Sequence, residues 1–313
     1  MDMLIYGGVI IAIAVLLITS LSFKLKVRRY SVLSDKISRG FKAVHLSDLH
    51  ESRFGDKQQK LLDAVLREAP DIIFVTGDMV EDGKACAGGE RIMSDTNAAL
   101  ELLSGLIKIA PVYMVYGNHE SNIPGIDKLT GELEALGVLL MHRNGSICPD
   151  MVEETEICGN RLIICGADDP YFYKTESGYR RRGMKERFRE DKDTHGCGKD
   201  RWRERLRTDF SKVKSEKRLT LLLSHRPEEF ELYRELGFDA AFSGHAHGGQ
   251  WRLPPFINGI YAPNQGIFPT HAGGIYRYDG FIHIVSRGLS KKRMIRIFNP
   301  PEICVVTFSQ EIK

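Results

Sequence analysis

The sequence predicts an α/β domain, and three observations carry that expectation. Short apolar runs of strand length alternate with stretches of helical apolar spacing. Carboxylate, imidazole and amide residues stand just after several of those runs. A composition of 42% hydrophobic and 27% charged residues over 313 positions is that of an ordinary globular chain, long enough for one sizeable domain or two small ones.

Phe41-Lys42-Ala43-Val44-His45-Leu46-Ser47 reads as the first buried strand. Residues 56–69 then place Leu61, Leu62, Val65 and Leu66 at helical spacing, and Pro70-Asp71 ends that helix before the strand Ile72-Ile73-Phe74-Val75-Thr76. A helix around residues 95–108, then Pro111 and the strand Val112-Tyr113-Met114-Val115-Tyr116, repeat the unit, so the sheet is expected to be parallel. From about Gly137 the runs shorten, as at residues 138–141 and 161–165, which predicts a second sheet. Residues 174–214 are strongly charged, with Arg180-Arg181-Arg182, Lys185, Arg187 and Arg189, and end in a helix from Lys199; they read as an insertion or lid. Strand patterns return at residues 219–224, 240–243, 274–278, 281–286 and 303–308. No internal repeat or low-complexity tail interrupts the series.

The N-terminus follows different physics. Residues 4–23 form an uncharged apolar run of about the ~20 residues a helix needs to cross a bilayer. The chain starts Met1-Asp2-Met3 rather than with a basic region, so the run is expected to be an anchor, not a cleaved signal peptide. Lys24, Lys26, Arg28 and Arg29 follow directly, which predicts a single-pass protein of the cell membrane with its remainder on the cytoplasmic side; an outward-facing domain is the alternative. Residues 24–40 read as a basic linker and 41–313 as the folded domain. The formal net charge of +3 is too small to predict a nucleic-acid partner. Six cysteines without a C-x-x-C pair indicate neither a structural zinc site nor a disulfide-stapled scaffold.

Five short motifs carry the chemistry: Asp48-Leu49-His50, Gly77-Asp78, Gly117-Asn118-His119-Glu120, Ser224-His225 and Gly244-His245-Ala246-His247. Each follows a strand-like run, and in α/β sheets the carboxyl ends of strands converge on one edge. Carboxylates, imidazoles and an amide carbonyl suit divalent cations, whereas each motif alone is as easily a turn or a packing histidine.

In order and position the series resembles the five motif blocks of the calcineurin-like metallophosphoesterases. With Gly248-Gly249-Gln250, Val285-Ser286-Arg287-Gly288-Leu289 and Asn299-Pro300-Pro301-Glu302-Ile303 it resembles their membrane-anchored bacterial branch of the YaeI and YkuE type. The resemblance implies a four-layer α/β/β/α sandwich of two mixed sheets and a metal-dependent phosphodiesterase or pyrophosphatase. It further implies two divalent metal ions, manganese, zinc or iron foremost, which lower the pKa of a shared water and clamp the phosphoryl oxygens. Asp48, His50 and His247 would hold one ion, Asn118, His225 and His245 the other, and Asp78 both; His119 would act catalytically on the leaving group or phosphoryl oxygen. The phosphoprotein phosphatases of the superfamily read Gly-Asp-x-x-Asp, but here Val80 is followed by Glu81 and Asp82. The carboxylate that orients His119 is therefore left between those two, and both also read as turn residues, as do Asp168 and Asp169 before Pro170.

Two apolar-aromatic segments, Trp251-Arg252-Leu253-Pro254-Pro255-Phe256-Ile257 and Tyr171-Phe172-Tyr173, read either as packing or as contacts to a lipid-linked phosphoester. The basic stretch 180–189 reads as a solvated face or as a contact to a diphosphate or anionic headgroups. Hydrolysis of UDP-diacylglucosamine is one activity within the wider resemblance, and a DNA exonuclease is another. A non-catalytic scaffold of the same fold, or a membrane-surface binding module, is the reading from a different class.

Overall fold

The structure, a computed structural model, describes residues 6, 20–21, 24–82, 84–85, 91–92, 95–142, 151–173, 197–291 and 295–311. Most of the apolar run 4–23 and the charged residues 174–196 lie outside these. Among the described residues no helix is long and apolar enough to cross a membrane.

The first sheet contains β1 (Lys26–Ser34), β2 (Phe41–Leu46), β3 (Ile72–Thr76), β6 (Val112–Val115), β7 (Leu139–Leu140) and β16 (Glu302–Gln310) in the order β1-β16-β2-β3-β6-β7. Helices α1 (Gln59–Glu68), α2 (Asn97–Leu106) and α3 (Ile126–Leu136) lie between its strands in sequence, and β4 (Lys84–Ala85) pairs with β5 (Arg91–Ile92) in a separate ribbon. The second sheet contains β8 (Val152–Ile157), β9 (Asn160–Ala167), β10 (Leu219–Ser224), β11 (Ala240–Ser243), β14 (Gly274–Tyr278) and β15 (Phe281–Val285) in the order β14-β15-β11-β10-β9-β8. Its helices are α4 (Cys197–Asp209) and α5 (Phe230–Glu235), and β12 (Tyr261–Ala262) pairs with β13 (Gly266–Ile267) beside it. Both sheets are mixed. β2, β3, β6 and β7 run parallel with β16 antiparallel to β2, and β9, β10, β11 and β15 run parallel with antiparallel strands at either edge.

Alternation along the strands sets the layers, because successive side chains point to opposite faces. Phe41, Ala43, Ile72, Phe74 and Tyr113 pack between the sheets against Ile164, Leu221, Leu223, Phe242 and Ile284. Val44, Leu46, Ile73, Val75 and Val112 point the other way, onto Leu61, Val65, Leu102, Leu103 and Leu133 of α1–α3. The outer face of the second sheet meets Trp202 and Leu206 of α4, Phe210 just after it and Tyr233 of α5. The result is the expected α/β/β/α layering, and burial on both faces explains why the central strands read as near-continuous apolar runs.

Two expectations are corrected. Residues 24–40 do not form a linker: Lys26–Ser34 is a nine-residue strand paired in parallel along the whole of β16, from Lys26 opposite Glu302 to Ser34 opposite Gln310. Its charged appearance fits an edge strand, with Arg28 paired to Glu302 and Arg29 to Glu68, and only Val32 fully buried. The run 138–141 belongs to the first sheet rather than the second. Gly137, at φ 91°, ends α3 by donating to Glu134 O while Val138 donates to Leu133 O, and this turn delivers Leu139–Leu140 to the side of β6.

Candidate metal centre

The loops that follow five parallel strands, β2, β3, β6, β10 and β11, bring all eight candidate residues to the same end of the two sheets. Three groups of carboxylate and imidazole atoms form there, each within 4.8 Å: Asp48, His50 and His247; Asp78, His225 and His245; and His50, Glu81 and His119. Asp78 joins them. Its Oδ2 lies 3.1 Å from His225 Nε2, 3.7 Å from His50 Nε2 and 3.8 Å from His119 Nε2. Asp48 Oδ1 lies 3.8 Å from His50 Nε2 and 3.7 Å from His247 Nε2.

The ring hydrogen bonds define which nitrogens are turned inward. His225 Nδ1 donates to Thr76 O at 2.6 Å, which turns Nε2 toward Asp78. His245 Nε2 lies 2.8 Å from Asn264 Oδ1 and 2.9 Å from Arg226 Nη1, which turns its Nδ1 toward His225 Nε2 at 3.2 Å. Two imidazole nitrogens converging beside a carboxylate are the arrangement that a cation satisfies. Asp78 Oδ2 and Asn118 Oδ1 are buried and accept no hydrogen bond from the described residues. A buried acceptor left in that way costs about 1–3 kcal/mol, so this donor set fits divalent cations.

Electrostatics agree with the geometry. Burial opposes ionisation of Asp78, yet His225, His119 and His50 together hold its carboxyl well below the usual range. Burial likewise opposes ionisation of Asp48, and His247, His50 and His225 outweigh it. At His225 burial opposes the charge, but the Asp78 carboxylate raises the imidazole to about 10. His245 is pushed well below its ordinary value by burial, then by Arg226 and His225.

The backbone is forced at this site. Asp48, His50, Asp78, His245 and His247 all have φ between 46° and 64°, the left-handed region that non-glycine residues rarely adopt. Glycines let the chain approach these side chains. A Cβ on Gly244 would overlap Ser47 Oγ and Asp48 Oδ2, and one on Gly117 would overlap Asp78 Oδ1.

Several functional contacts were not anticipated from the sequence. The Glu120 carboxylate is fully buried and accepts from the amides of Asp78 (2.9 Å), Met79 (2.7 Å) and Gly117 (2.9 Å), fastening the β3 and β6 loops together. Burial first, and Asp78 second, raise its pKa, against the pull of the Gly117 and Asp78 amides. Arg226, buried next to His225, holds Asp169 through two nitrogens (2.5 and 2.9 Å) and donates to Asn264 Oδ1 at 2.6 Å, so Asp169, expected to be a simple turn residue, also anchors this network. Asn299 Nδ2 donates to His247 O at 2.7 Å. The choice between Glu81 and Asp82 resolves into two roles. Glu81 faces Nδ1 of His50 (3.2 Å) and of His119 (3.4 Å), while Asp82 presents its amide (3.0 Å) and Oδ1 (2.8 Å) to His119 Nδ1. Carboxylates on the Nδ1 side fix each ring with Nε2 turned toward Asp78.

Similarity to known proteins agrees with this geometry. A family model described as calcineurin-like phosphoesterase matches residues 41–249, more than half of the chain. The chain is 24% identical over 274 residues to phosphodiesterase YaeI of Escherichia coli, covering 85% of this chain and 81% of that one. It is 26% identical over 272 residues to the uncharacterized metallophosphoesterase YkuE of Bacillus subtilis, covering 86% and 79%. A shorter match, 36% identical over 91 residues, is to the UDP-2,3-diacylglucosamine pyrophosphatase LpxG of Chlamydia muridarum and covers only 28% of each chain.

Proposed function

The chain belongs to the calcineurin-like phosphoesterase family and is a hydrolase of phosphoesters; from that premise we propose that it cleaves a phosphodiester or pyrophosphate in a small or lipid-linked substrate at a membrane. The observation that carries the reading is Asp78, whose Oδ2 stands among imidazoles delivered by three different strand ends. In this reading Asp48, His50 and His247 hold one divalent cation, Asn118, His225 and His245 a second, and Asp78 both. Manganese, zinc and iron suit imidazoles mixed with carboxylate and amide oxygens. When bound, such a pair supplies a nucleophile at neutral pH and neutralises phosphoryl charge.

The chain's own residues do the rest. Glu81 and Asp82 orient His119 so that Nε2 faces the Asp78 side, where it donates to a phosphoryl oxygen or to the departing alkoxide. Thr76 O holds the Nδ1 side of His225, and Asn264 with Arg226 holds the Nε2 side of His245. The apolar run 4–23 and its basic flank support a single-pass anchor with the catalytic domain on the cytoplasmic side. The name of the Chlamydia relative supports a diacylglucosamine pyrophosphate as one form of the substrate.

The test uses the full chain stripped with chelator, with single metals added back and hydrolysis of bis(p-nitrophenyl) phosphate compared with that of vesicle-borne hexadecyl p-nitrophenyl phosphate. The expected result is turnover restored by metal, abolished by Asp78→Asn and faster on the vesicle-borne ester. Metal binding without turnover of either ester would overturn the assignment.

A further inference from the structure

Six of the ten exposed large hydrophobic side chains among the described residues, Trp251, Leu253, Phe256, Ile267, Phe268 and Ile295, lie in two segments, residues 251–268 and the start of 295–300. Phe256 is 84% exposed and Ile267 71%, where a buried position would be expected of such residues. Hydrogen bonds tie the segments together. Trp251 Nε1 donates to Ile295 O (2.9 Å), Ile260 N to Trp251 O (2.9 Å), and Phe268 N to Ile260 O (2.8 Å), while Trp251 bridges to Ile297. Exposed apolar clusters of this kind mark interaction surfaces.

Two observations identify what covers it. Phe298 N donates to Ser20 O at 2.7 Å, so the C-terminal end of the apolar run 4–23, itself of bilayer-spanning length, is held three residues from Ile295. Lys24 and Lys26, which follow that run, are exposed and suit anionic headgroups. The strip also continues into the catalytic site: Trp251 comes four residues after His247, and the β12–β13 hairpin that carries Ile267 also carries Asn264, whose Oδ1 lies 2.8 Å from His245 Nε2.

We propose that this strip is a bilayer-docking surface that seats the candidate metal centre against the lipid headgroups. The inference rests on the membrane reading given above and adds the surface that performs it. Trp251 and the phenylalanines sit at the headgroup level, where aromatic side chains are favoured, and a lipid-linked phosphoester enters beside Asn264.

The chain contains two tryptophans, and Trp202 is fully buried between α4 and the second sheet, so Trp251 reports on the strip by itself. The full chain is placed in phosphatidylglycerol nanodiscs with brominated acyl chains, and tryptophan emission is compared with that in unbrominated nanodiscs. Docking quenches the Trp251 share of the emission. Trp251→Phe removes the quenching and leaves the Trp202 signal, and joint Phe256→Asp and Phe268→Asp substitution relieves it several-fold while metal-restored turnover of soluble bis(p-nitrophenyl) phosphate persists. Emission insensitive to bromine overturns the proposal, as does a Trp251 signal that shifts with protein concentration in lipid-free detergent, which would make the strip an interface between copies. Quenching reads docking without reference to substrate. A chain that is quenched but shows no preference for the vesicle-borne ester refutes the lipid-linked substrate and leaves the surface standing.

Discussion

Glu120→Gln tests whether one buried carboxylate holds the metal-binding loops in register. Both oxygens of Glu120 accept amide protons, from Asp78 and Gly117 on one side and Met79 on the other. The glutamine replaces one oxygen with a donor, so at least one of those amides loses its acceptor whichever way the side chain turns. An unmade buried hydrogen bond costs about 1–3 kcal/mol, and bonds to a charged group contribute about 1.5–3, so the loss is about 2–4 kcal/mol. At about 2–4 °C per kcal/mol for a domain of this size, the melting temperature falls by roughly 5–15 °C. Because the same amides position Asp78 and Asn118, affinity for manganese(II) falls about 10–100-fold, as for other residues that orient metal ligands. Thermal melts by circular dichroism and titration calorimetry on chelator-stripped protein read the two effects separately. A variant with wild-type melting temperature and wild-type affinity would show that the loops hold themselves and that Glu120 is incidental.

Other perturbations follow from the same contacts. Gly244→Ala places a methyl group on Ser47 and Asp48, so metal content per chain, measured by plasma mass spectrometry, is expected to drop while the far-ultraviolet spectrum stays native. Arg226→Met strands the buried Asp169 carboxylate and costs about 3–5 kcal/mol in urea melts; adding Asp169→Asn should recover part of that loss, and a double variant as unstable as the sum of the singles would refute the pairing. A fragment starting at residue 40 lacks β1 and exposes the nine-residue, mostly buried β16 as an edge. It should aggregate on size exclusion where a fragment starting at residue 24 remains monodisperse.

How far the sequence could be read depended on whether a residue's partners were local. Val44, Ile73, Val112 and their neighbours announce strands because both faces are buried, and the ligand types stand out because each follows such a run. β1 was illegible for the opposite reason: an edge strand buries little of its own surface, and its partner β16 is more than 270 residues away. The run 138–141 declared a strand but not its sheet, since four apolar residues carry no information about neighbours. Glu120 was visible in the Gly-Asn-His-Glu motif without a role, because its acceptor function depends on amides some 40 residues earlier. Arg226 and Asn264 gave no signal at all. Each looks like an ordinary loop residue until the fold sets it beside His245.

The strand that replaced the expected linker changes what an anchor would do. A flexible leash over residues 24–40 would let its ends wander about 20–25 Å apart, and a tethered domain could sample the solution above the membrane. Here Ser20 is tied to Phe298, Lys26 donates to Pro301, and the nine residues Lys26–Ser34 are zipped to β16. With residues 4–23 in a bilayer, as proposed, little slack remains between lipid and sheet. The height of the catalytic centre would then be a fixed dimension of the fold, and the protein would act as a ruler, reaching phosphoesters at one depth in the headgroup layer and passing over those that lie deeper or project farther out.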